Sequence, residues 1–559
     1  MSWKTVRNLR RISQVLFFLF FFWLILKTNF KVDFSKTVSE IGLPYPVSIF
    51  LEFDPLTALG TLLSAGTIYK GLLWSLVIII PTLFMGRFFC GWICPLGSLN
   101  HWLSEIPSLN IFRRGKGRIK ANKYKKYQRI KYYVLIFFLG AALMGTLQIG
   151  LLDPLPLLAR SIGTVVLPTL HAFILGIVGA VKNLGWPPLG DAAQSIYDAT
   201  APFFLNFRQV HFNTIFSMGL FFLIILVLNR VFTRFWCRGI CPLGALLGLF
   251  SRYAIFGLVK DEATCTKCGL CNLHCQGADN PHVGDKWRQS ECHLCFNCIA
   301  ACPENSLKFK FFPVQEHSTA NPEPTQKAGI PRRMVLTSLV GGVAFYPLIR
   351  SGTDFLADAN PRLIRPPGSV DEQRFLERCI RCGQCIRVCP NNALHPTLME
   401  AGIEGIWTPI MIPRVGYCEP TCTLCTQVCP TGAILELTTM QKVGDDNNPP
   451  VRVGTAFFDR GRCLPWAMGE TCIVCEEWCP TSPKAIYTKE EQTVDRQGNP
   501  VTIRRPYVDP ALCTGCGACE YACPVIDKPA IYVTGIGESR DPENQILLER
   551  QLKEKEQAS

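Results

Sequence analysis

The sequence predicts an α-helical membrane domain of four spans, with a fifth left open, followed by two small α+β modules built on cysteine motifs. The second module carries four such motifs. Three observations predict this. Apolar runs are concentrated in the first half of the 559-residue chain. There are 28 cysteines, of which 24 fall into six tight quartets. The other four sit in an eleven-residue stretch that occurs twice. A chain of this length exceeds what one core supports, and the boundaries read as a membrane domain over 1–260, a module over 261–312, a linker over 313–370, a second module over 371–540 and a charged tail over 541–559.

The four spans are Ile12–Leu26, Gly71–Phe89, Tyr132–Leu152 and Phe212–Phe232, each close to the roughly 20 residues that a hydrocarbon core requires. The first follows Lys4, Arg7, Arg10 and Arg11 without a small-residue cleavage site after it, so it reads as a retained anchor. The net charge of +14 does not indicate nucleic acid. Ten Lys or Arg and no acid lie between Arg113 and Lys131, directly between two spans. That is a topological signal which places this loop, the N-terminus and the Arg234/Arg238 region in the cytoplasm. Residues 27–70 and 153–211 then lie outside. Ile162–Val181 is apolar but interrupted by Gly and Pro, and is expected to lie on the outer surface.

Four quartets have the spacing C-x2-C-x2-C-x3-C: Cys265, Cys268, Cys271, Cys275; Cys292, Cys295, Cys298, Cys302; Cys379, Cys382, Cys385, Cys389; and Cys513, Cys516, Cys519, Cys523. Two have a stretched first gap: Cys418, Cys422, Cys425, Cys429 and Cys463, Cys472, Cys475, Cys479. Structural disulfides scatter cysteines in small secreted scaffolds, and structural zinc sites separate two CxxC knuckles by a longer insert. Three cysteines on one tight loop with a fourth before Pro instead fit a [4Fe–4S] cluster, the fourth ligand reaching the other cluster of a pair. Six [4Fe–4S] clusters are therefore expected. The quartets, with short strands such as Ala530-Ile531-Tyr532-Val533 after Cys-Pro, resemble the bacterial two-cluster ferredoxin fold. Cys275 departs from it, being followed by Gln276.

By the swap rule Cys265, Cys268, Cys271 and Cys302 share one cluster, and Cys292, Cys295, Cys298 and Cys275 the other. In the second module, pairing like with like gives a nested order, first quartet with fourth and second with third. Sequential pairing stays open.

The duplicated stretch runs from Arg87 to Gly97 (RFFCGWICPLG) and from Arg234 to Gly244 (RFWCRGICPLG). Each copy sits at the inner end of a span, and cysteines at i and i+4 share a helix face. Cys90, Cys94, Cys237 and Cys241 thus read as an additional metal or cluster centre, as redox-active thiols, or as small buried residues.

This repeat followed by two quartets resembles NapH and MauN, membrane ferredoxin-type proteins, over residues 1 to about 312. From about residue 330 the chain resembles NapG and MauM. It has a twin-arginine stretch (Arg332-Arg333-Met334-Val335-Leu336), a short apolar run to Ile349 and four cluster motifs. The twin-arginine stretch lacks the usual Ser before it and the Phe after it. The resemblance implies a NapH–NapG fusion in a bacterial inner membrane, with the first module cytoplasmic and the second periplasmic. An alternative is that 335–349 is an amphipathic helix packing both modules on one side. The resemblance also implies oxidation of quinol from the membrane pool, with electrons passed to a periplasmic c-type cytochrome or a terminal reductase of nitrate or nitrous oxide respiration. A quinol site needs a proton acceptor near the surface, for which His211, Glu52 and Asp54 are candidates, with His171 a further one. The alternatives are a conduit from a cytoplasmic donor and a maturation factor that reduces a partner's metal centre. No haem motif, dinucleotide fingerprint or nucleic-acid motif is present.

Overall fold

A computed structural model describes residues 3–29, 42–43, 45–67, 69–107, 116–183, 187–204, 212, 214–283, 285–312, 331–358, 360–445, 448–494 and 500–545. His211, the first part of the expected linker and most of the expected tail lie outside these residues. The helical domain is built from α1 (Trp3–Lys27), α2 (Pro55–Ala65), α3 (Leu76–Met85), α4 (Ile130–Leu143), α5 (Pro154–Asn183) and α6 (Ile215–Val231), joined by α7 (Arg332–Asp358) from the connector.

Among the described residues two helices, α1 and α5, are long and apolar enough to cross a membrane, which corrects the expectation of four spans. Glycines account for much of the difference. The run Gly71–Phe89 divides into a 3₁₀ turn (Lys70–Ser75) and α3, and stops at Gly86 with φ +99°. The run Tyr132–Leu152 ends as helix at Leu143, and Gly145 (φ +88°) turns the chain away. α6 has 17 residues, about 25 Å of helix against a core of about 30 Å. Ile162–Val181, expected as a surface helix, belongs instead to the 30-residue α5. A π turn at Ser161–Val166 precedes Pro168 and takes up the break in the hydrogen-bond ladder that its missing N–H imposes.

Phe21, Leu24, Leu51, Leu56, Leu135, Leu155, Leu158 and Leu243 form one buried core between these helices. The opposite faces stay open. Ile12, Leu16, Leu19 and Phe20 on α1, Val77, Ile80 and Phe84 on α3, and Phe216, Leu220, Leu223 and Val227 on α6 are exposed. An apolar surface spread over several helices is far larger than a water-soluble monomer presents, and fits contact with lipid. α7 lies along α4 through small residues: a Cβ on Gly342 would lie 2.0 Å from the Phe137 carbonyl oxygen, and one on Gly140 2.8 Å from that of Leu339. Such close backbone approach is the way apolar helices associate where lipid removes the hydrophobic drive.

The cysteine-rich parts contain four antiparallel strand pairs: β1 (Phe256–Lys260) with β2 (Leu307–Phe311), β3 (Leu394–Pro396) with β4 (Pro409–Met411), β5 (Thr455–Phe458) with β8 (Ile531–Thr534), and β6 (Ile486–Val494) with β7 (Pro500–Val508). β1 precedes the first quartet and β2 follows the second. Likewise Ser369 bridges Ile434 around the third and fourth quartets, and β5 and β8 enclose the fifth and sixth. The same closure therefore recurs three times, and β3/β4 and β6/β7 are insertions within the second and third units. The expected four-motif module is two such units.

These units meet the helical domain at opposite ends of α1. Near its start, Trp3 packs on Phe296 with ring centroids 5.5 Å apart and Arg10 Nη2 donates to Asn297 Oδ1 at 3.3 Å. Near its end, Arg387 Nε donates to the Ile25 carbonyl at 3.1 Å. Replacing Gly342 by Val is expected to separate α7 from α4, because the new side chain meets a backbone carbonyl that has nowhere to move. Thermal unfolding of the detergent-solubilised protein should show a loss of roughly 1–3 kcal/mol; an unchanged midpoint would mean that the two helices are not held this way.

Candidate functional site

Each regular quartet wraps its chain through left-handed backbone that most side chains avoid. Gly383 (φ +72°) and Gly517 (φ +83°) follow the second cysteine of their quartets and open the short helices Gln384–Val388 and Ala518–Ala522. In the second quartet Phe296 adopts the same conformation (φ +55°). These turns keep three thiols on the inside of one loop. The stretched quartets enter their helices through Thr423 and Ile473 at ordinary negative φ, so their longer first gap replaces the left-handed turn.

The fourth thiol comes from a distant loop. One hollow open to solvent is lined by Cys265, Cys268, Cys271 and Cys302. Another is lined by Cys479, Cys513, Cys516 and Cys519. Cys385 lies in the electrostatic field of Cys382, Cys379 and Cys429, and Cys425 in that of Cys418, Cys422 and Cys389. Cys475 has Cys463 and Cys472 beside it, and Cys523 acts on Cys463. The order is sequential, third quartet with fourth and fifth with sixth. This corrects the nested expectation: the helices Gln384–Val388 and Leu424–Gln427 pack on each other, as do Val474–Glu477 and Ala518–Ala522. Regularity of spacing does not decide pairing; the closing strand does.

Among the described residues no three His, Cys, Asp or Glu stand close enough to hold a single metal ion. A tetrahedral zinc would bring its sulfurs within about 2.3 Å of one point. The exchange of a fourth ligand between paired loops fits a cuboidal cluster that distributes its ligands over four irons. Burial pushes the Cys382 and Cys422 thiols up to about 12. Lys442, absent from any sequence motif, donates from Nζ to Cys418 Sγ at 3.2 Å and to the Glu419 and Cys422 carbonyls at 2.7 and 2.6 Å. The second and third units are joined at this point, where Cys418 N donates to the Cys516 carbonyl at 2.8 Å.

Docking to the helical domain relies on arginines that donate to carbonyls. Arg160 Nη1 donates to Arg381 O at 2.8 Å, Arg381 donates to the Leu147 carbonyl, and Arg387 Nη1 donates to Gly163 O at 3.1 Å. Gly150 faces the Ile380 carbonyl so closely that a Cβ there would stand 2.4 Å away. The third quartet therefore rests directly on the ends of α1 and α5. In the first unit Arg234 Nη1 meets His293 Nδ1 at 2.7 Å, and burial lowers the His293 pKa well below the ordinary range, so the ring is neutral and accepts.

The proton-acceptor candidates are dispersed. Glu52 is half-buried, and burial raises its pKa. Asp54 is fully buried and caps α2, accepting from Leu56 N at 2.9 Å and Thr57 Oγ1 at 3.3 Å. Its neighbour is the equally buried Asp153, which caps α5. The sequence carries a weak signal of that partner, since Asp-Pro-Leu opens both helices. His171 is buried and meets Tyr197 Oη at 3.0 Å.

Models of sequence families described as 4Fe-4S binding domain match residues 67–119, 214–260 and 373–395, and models described as 4Fe-4S dicluster domain match 257–303 and 438–526. The ferredoxin-type protein NapG of Escherichia coli is 34% identical over 207 residues, 36% of this chain and 84% of that protein. The methylamine utilization ferredoxin-type protein MauM of Paracoccus denitrificans is 35% identical over 211 residues, 36% of this chain and 82% of that protein. The putative electron transport protein YccM of Escherichia coli is 22% identical over 355 residues, 62% of this chain and 84% of that protein. No solved structure matches.

Sequential pairing is tested by Cys429→Ser. Its redox-titrated EPR spectrum should match that of Cys382→Ser; a match to Cys422→Ser would place Cys429 with its own quartet. A pH dependence follows from Glu372. Burial alone would raise its pKa, but Arg365 Nη2 at 2.5 Å and Arg540 Nη1 at 2.8 Å hold it down at about 2. A depressed carboxylate pKa contributes stability that is present above about 4.5 and is lost as pH falls toward 2. Unfolding midpoints should drop over that window, and less steeply in Arg540→Gln. An equal slope in both would show that Arg540 does not hold Glu372 down.

Proposed function

The chain belongs to the ferredoxin-type iron–sulfur proteins of which NapG and MauM are members, and from this premise we propose that it oxidises quinol at the helical domain and delivers the electrons to a soluble acceptor. It is an iron–sulfur electron-transport protein with several [4Fe–4S] sites; the substrate, the acceptor and the order of sites are the proposal. One observation carries it. The third quartet is seated on the ends of α1 and α5, and the units beyond it are joined through Cys418 and Cys516.

The sites then run outward from the helices: Cys379, Cys382, Cys385 with Cys429; Cys418, Cys422, Cys425 with Cys389; Cys513, Cys516, Cys519 with Cys479; and Cys463, Cys472, Cys475 with Cys523. Clusters held there supply one-electron transfer. Each quinol gives up two electrons and two protons and becomes quinone, and two one-electron acceptors such as c-type cytochromes take the electrons. The outermost site is ringed by exposed Met468, Ile473, Trp478 and Ile526, an apolar rim suited to a transient partner. The reading places this half on the outer face of a bacterial inner membrane and the first unit, at the start of α1, on the inner face. It also assigns six [4Fe–4S] clusters to the six quartets.

A second reading, a conduit from a donor on the first unit's side, draws on the contact between Gly91 and His293, where a Cβ on the glycine would stand 2.1 Å from the histidine carbonyl oxygen. That contact ties the first unit to the helical domain as closely as the third quartet is tied at the other end.

Anaerobic mixing of the purified protein with a quinol should bleach its iron–sulfur absorption. Bleaching by dithionite but not by quinol would remove quinol as the donor and favour the conduit. Cys516→Ala should keep quinol-dependent bleaching of the docked sites and lose most reduction of an added cytochrome c, by 10-fold or more; full delivery would remove this site from the path.

A further inference from the structure

We propose that Cys90, Cys94, Cys237 and Cys241 together hold one further [4Fe–4S] cluster, shared between the two copies of the repeat and flanked by the crossed guanidinium groups of Arg87 and Arg234. The assignment is independent of whether quinol is the electron donor.

The four thiols are all buried and belong to one neighbourhood: Cys94 feels Cys90 and Cys237, and Cys241 feels Cys237, Cys90 and Cys94. The two copies build the same local structure. Cys94 and Cys241 each cap a helix (Pro95–Glu105 and Pro242–Phe250), and their sulfurs accept from Gly97 N at 3.3 Å and Gly244 N at 3.2 Å. Backbone N–H donated to sulfur stabilises a thiolate. Asn100 Nδ2 adds a donor to Cys237 Sγ at 3.4 Å.

The arginines cross between the copies. Arg234, from the second copy, donates from Nη2 to the Gly97 and Cys90 carbonyls of the first, at 2.6 and 3.4 Å. Arg87, from the first copy, places Nη2 where a Cβ on Gly244 of the second would stand 2.8 Å away. Both guanidiniums are fully buried, yet Arg87 Nε and Nη2 and Arg234 Nε have no hydrogen-bond partner. Buried cations without counter-charge are expensive. Among the described residues Glu291 is the one carboxylate paired with Arg87, at 3.5 Å, and it also binds Lys131. A cluster with four thiolate ligands supplies the missing negative charge at the place these donors surround.

A single ion does not fit, because no three such ligands among the described residues stand close enough. Simple packing does not fit either: packing has no use for arginines crossed between two copies around four thiols.

The site also adjoins a second one. Gly91 abuts the His293 carbonyl, and Arg238, the residue equivalent to Gly91 in the other copy, donates to the Gln276 and Cys275 carbonyls, both at 2.9 Å. Both copies thus grip the site formed by Cys275, Cys292, Cys295 and Cys298.

The test is the iron content and Mössbauer spectrum of the anaerobically purified full chain, with Cys94→Ser/Cys241→Ser alongside. The expected result is about 28 irons per wild-type chain, and about 24 in the variant with the other spectral components unchanged. Wild-type protein holding about 24 irons with all six quartets filled overturns the proposal even if the variant fails to fold. So does a variant with the full iron complement. Arg234→Gln, which removes a positive charge, should lower the midpoint potential of the component that the Cys94→Ser/Cys241→Ser variant lacks; no shift in that component would remove Arg234 from its surroundings.

Discussion

Four sulfurs around a cuboidal cluster must be held further apart than one tight loop can place them, so each site built from the six quartets takes three thiols from one loop and a fourth from its partner loop. Much of the architecture depends on that borrowing. Two loops that exchange ligands must stay in register, and the antiparallel pairs β1/β2 and β5/β8, with the Ser369–Ile434 bridge, hold the beginning and end of each unit together. The inserted strand pairs β3/β4 and β6/β7 lie between the two loops of their units, where they leave the closing strands untouched.

Anionic sites set a second condition on the surfaces that meet. The helical domain and its units are joined largely by guanidinium groups donating to backbone carbonyls, as with Arg160 to Arg381, Arg387 to Ile25 and Gly163, and Arg238 to Cys275 and Gln276. A hydrogen bond to a charged group contributes about 1.5–3 kcal/mol, which alone does not offset burial of the cation. Cluster charge close by makes such interfaces affordable, and it explains why Lys442 is buried against Cys418 rather than solvated.

The sequence made legible what covalent spacing controls. The quartets, the duplicated RF(F/W)CxxICPLG stretch and the basic loop at 113–131 could be read without coordinates, because each is local. Pairing in the second half was not legible. Cys463 and Cys472 are separated by eight residues where the regular pattern has two, and their partners are chosen by which strands close, a long-range matter. Span lengths failed for a local reason that hydropathy ignores. Gly86 and Gly145 adopt positive φ and end helices inside apolar runs, whereas Pro168 is carried by a π turn and ends nothing. Asp153 and Lys442 carried weak or no signal: the first is one half of a repeated Asp-Pro-Leu, and the second is an ordinary lysine in a capped helix.

The duplicated stretch shows how divergence between copies marks a surface. Positions that face the shared interior are retained in both copies: Arg87 and Arg234, Cys90 and Cys237, Cys94 and Cys241, Gly97 and Gly244. Gly97 and Gly244 are small because a neighbouring group occupies the space of a side chain, the Cys90 carbonyl in one case and Arg87 in the other. Gly91 and Arg238 differ because they face outward to a unit that has no twofold symmetry. One must let the His293 carbonyl come close, and the other must reach the Cys275 carbonyl. A pseudo-symmetric pair that docks an asymmetric partner can keep its inner residues identical only if its outer residues part company, and the single glycine-to-arginine difference in this motif lies at that boundary.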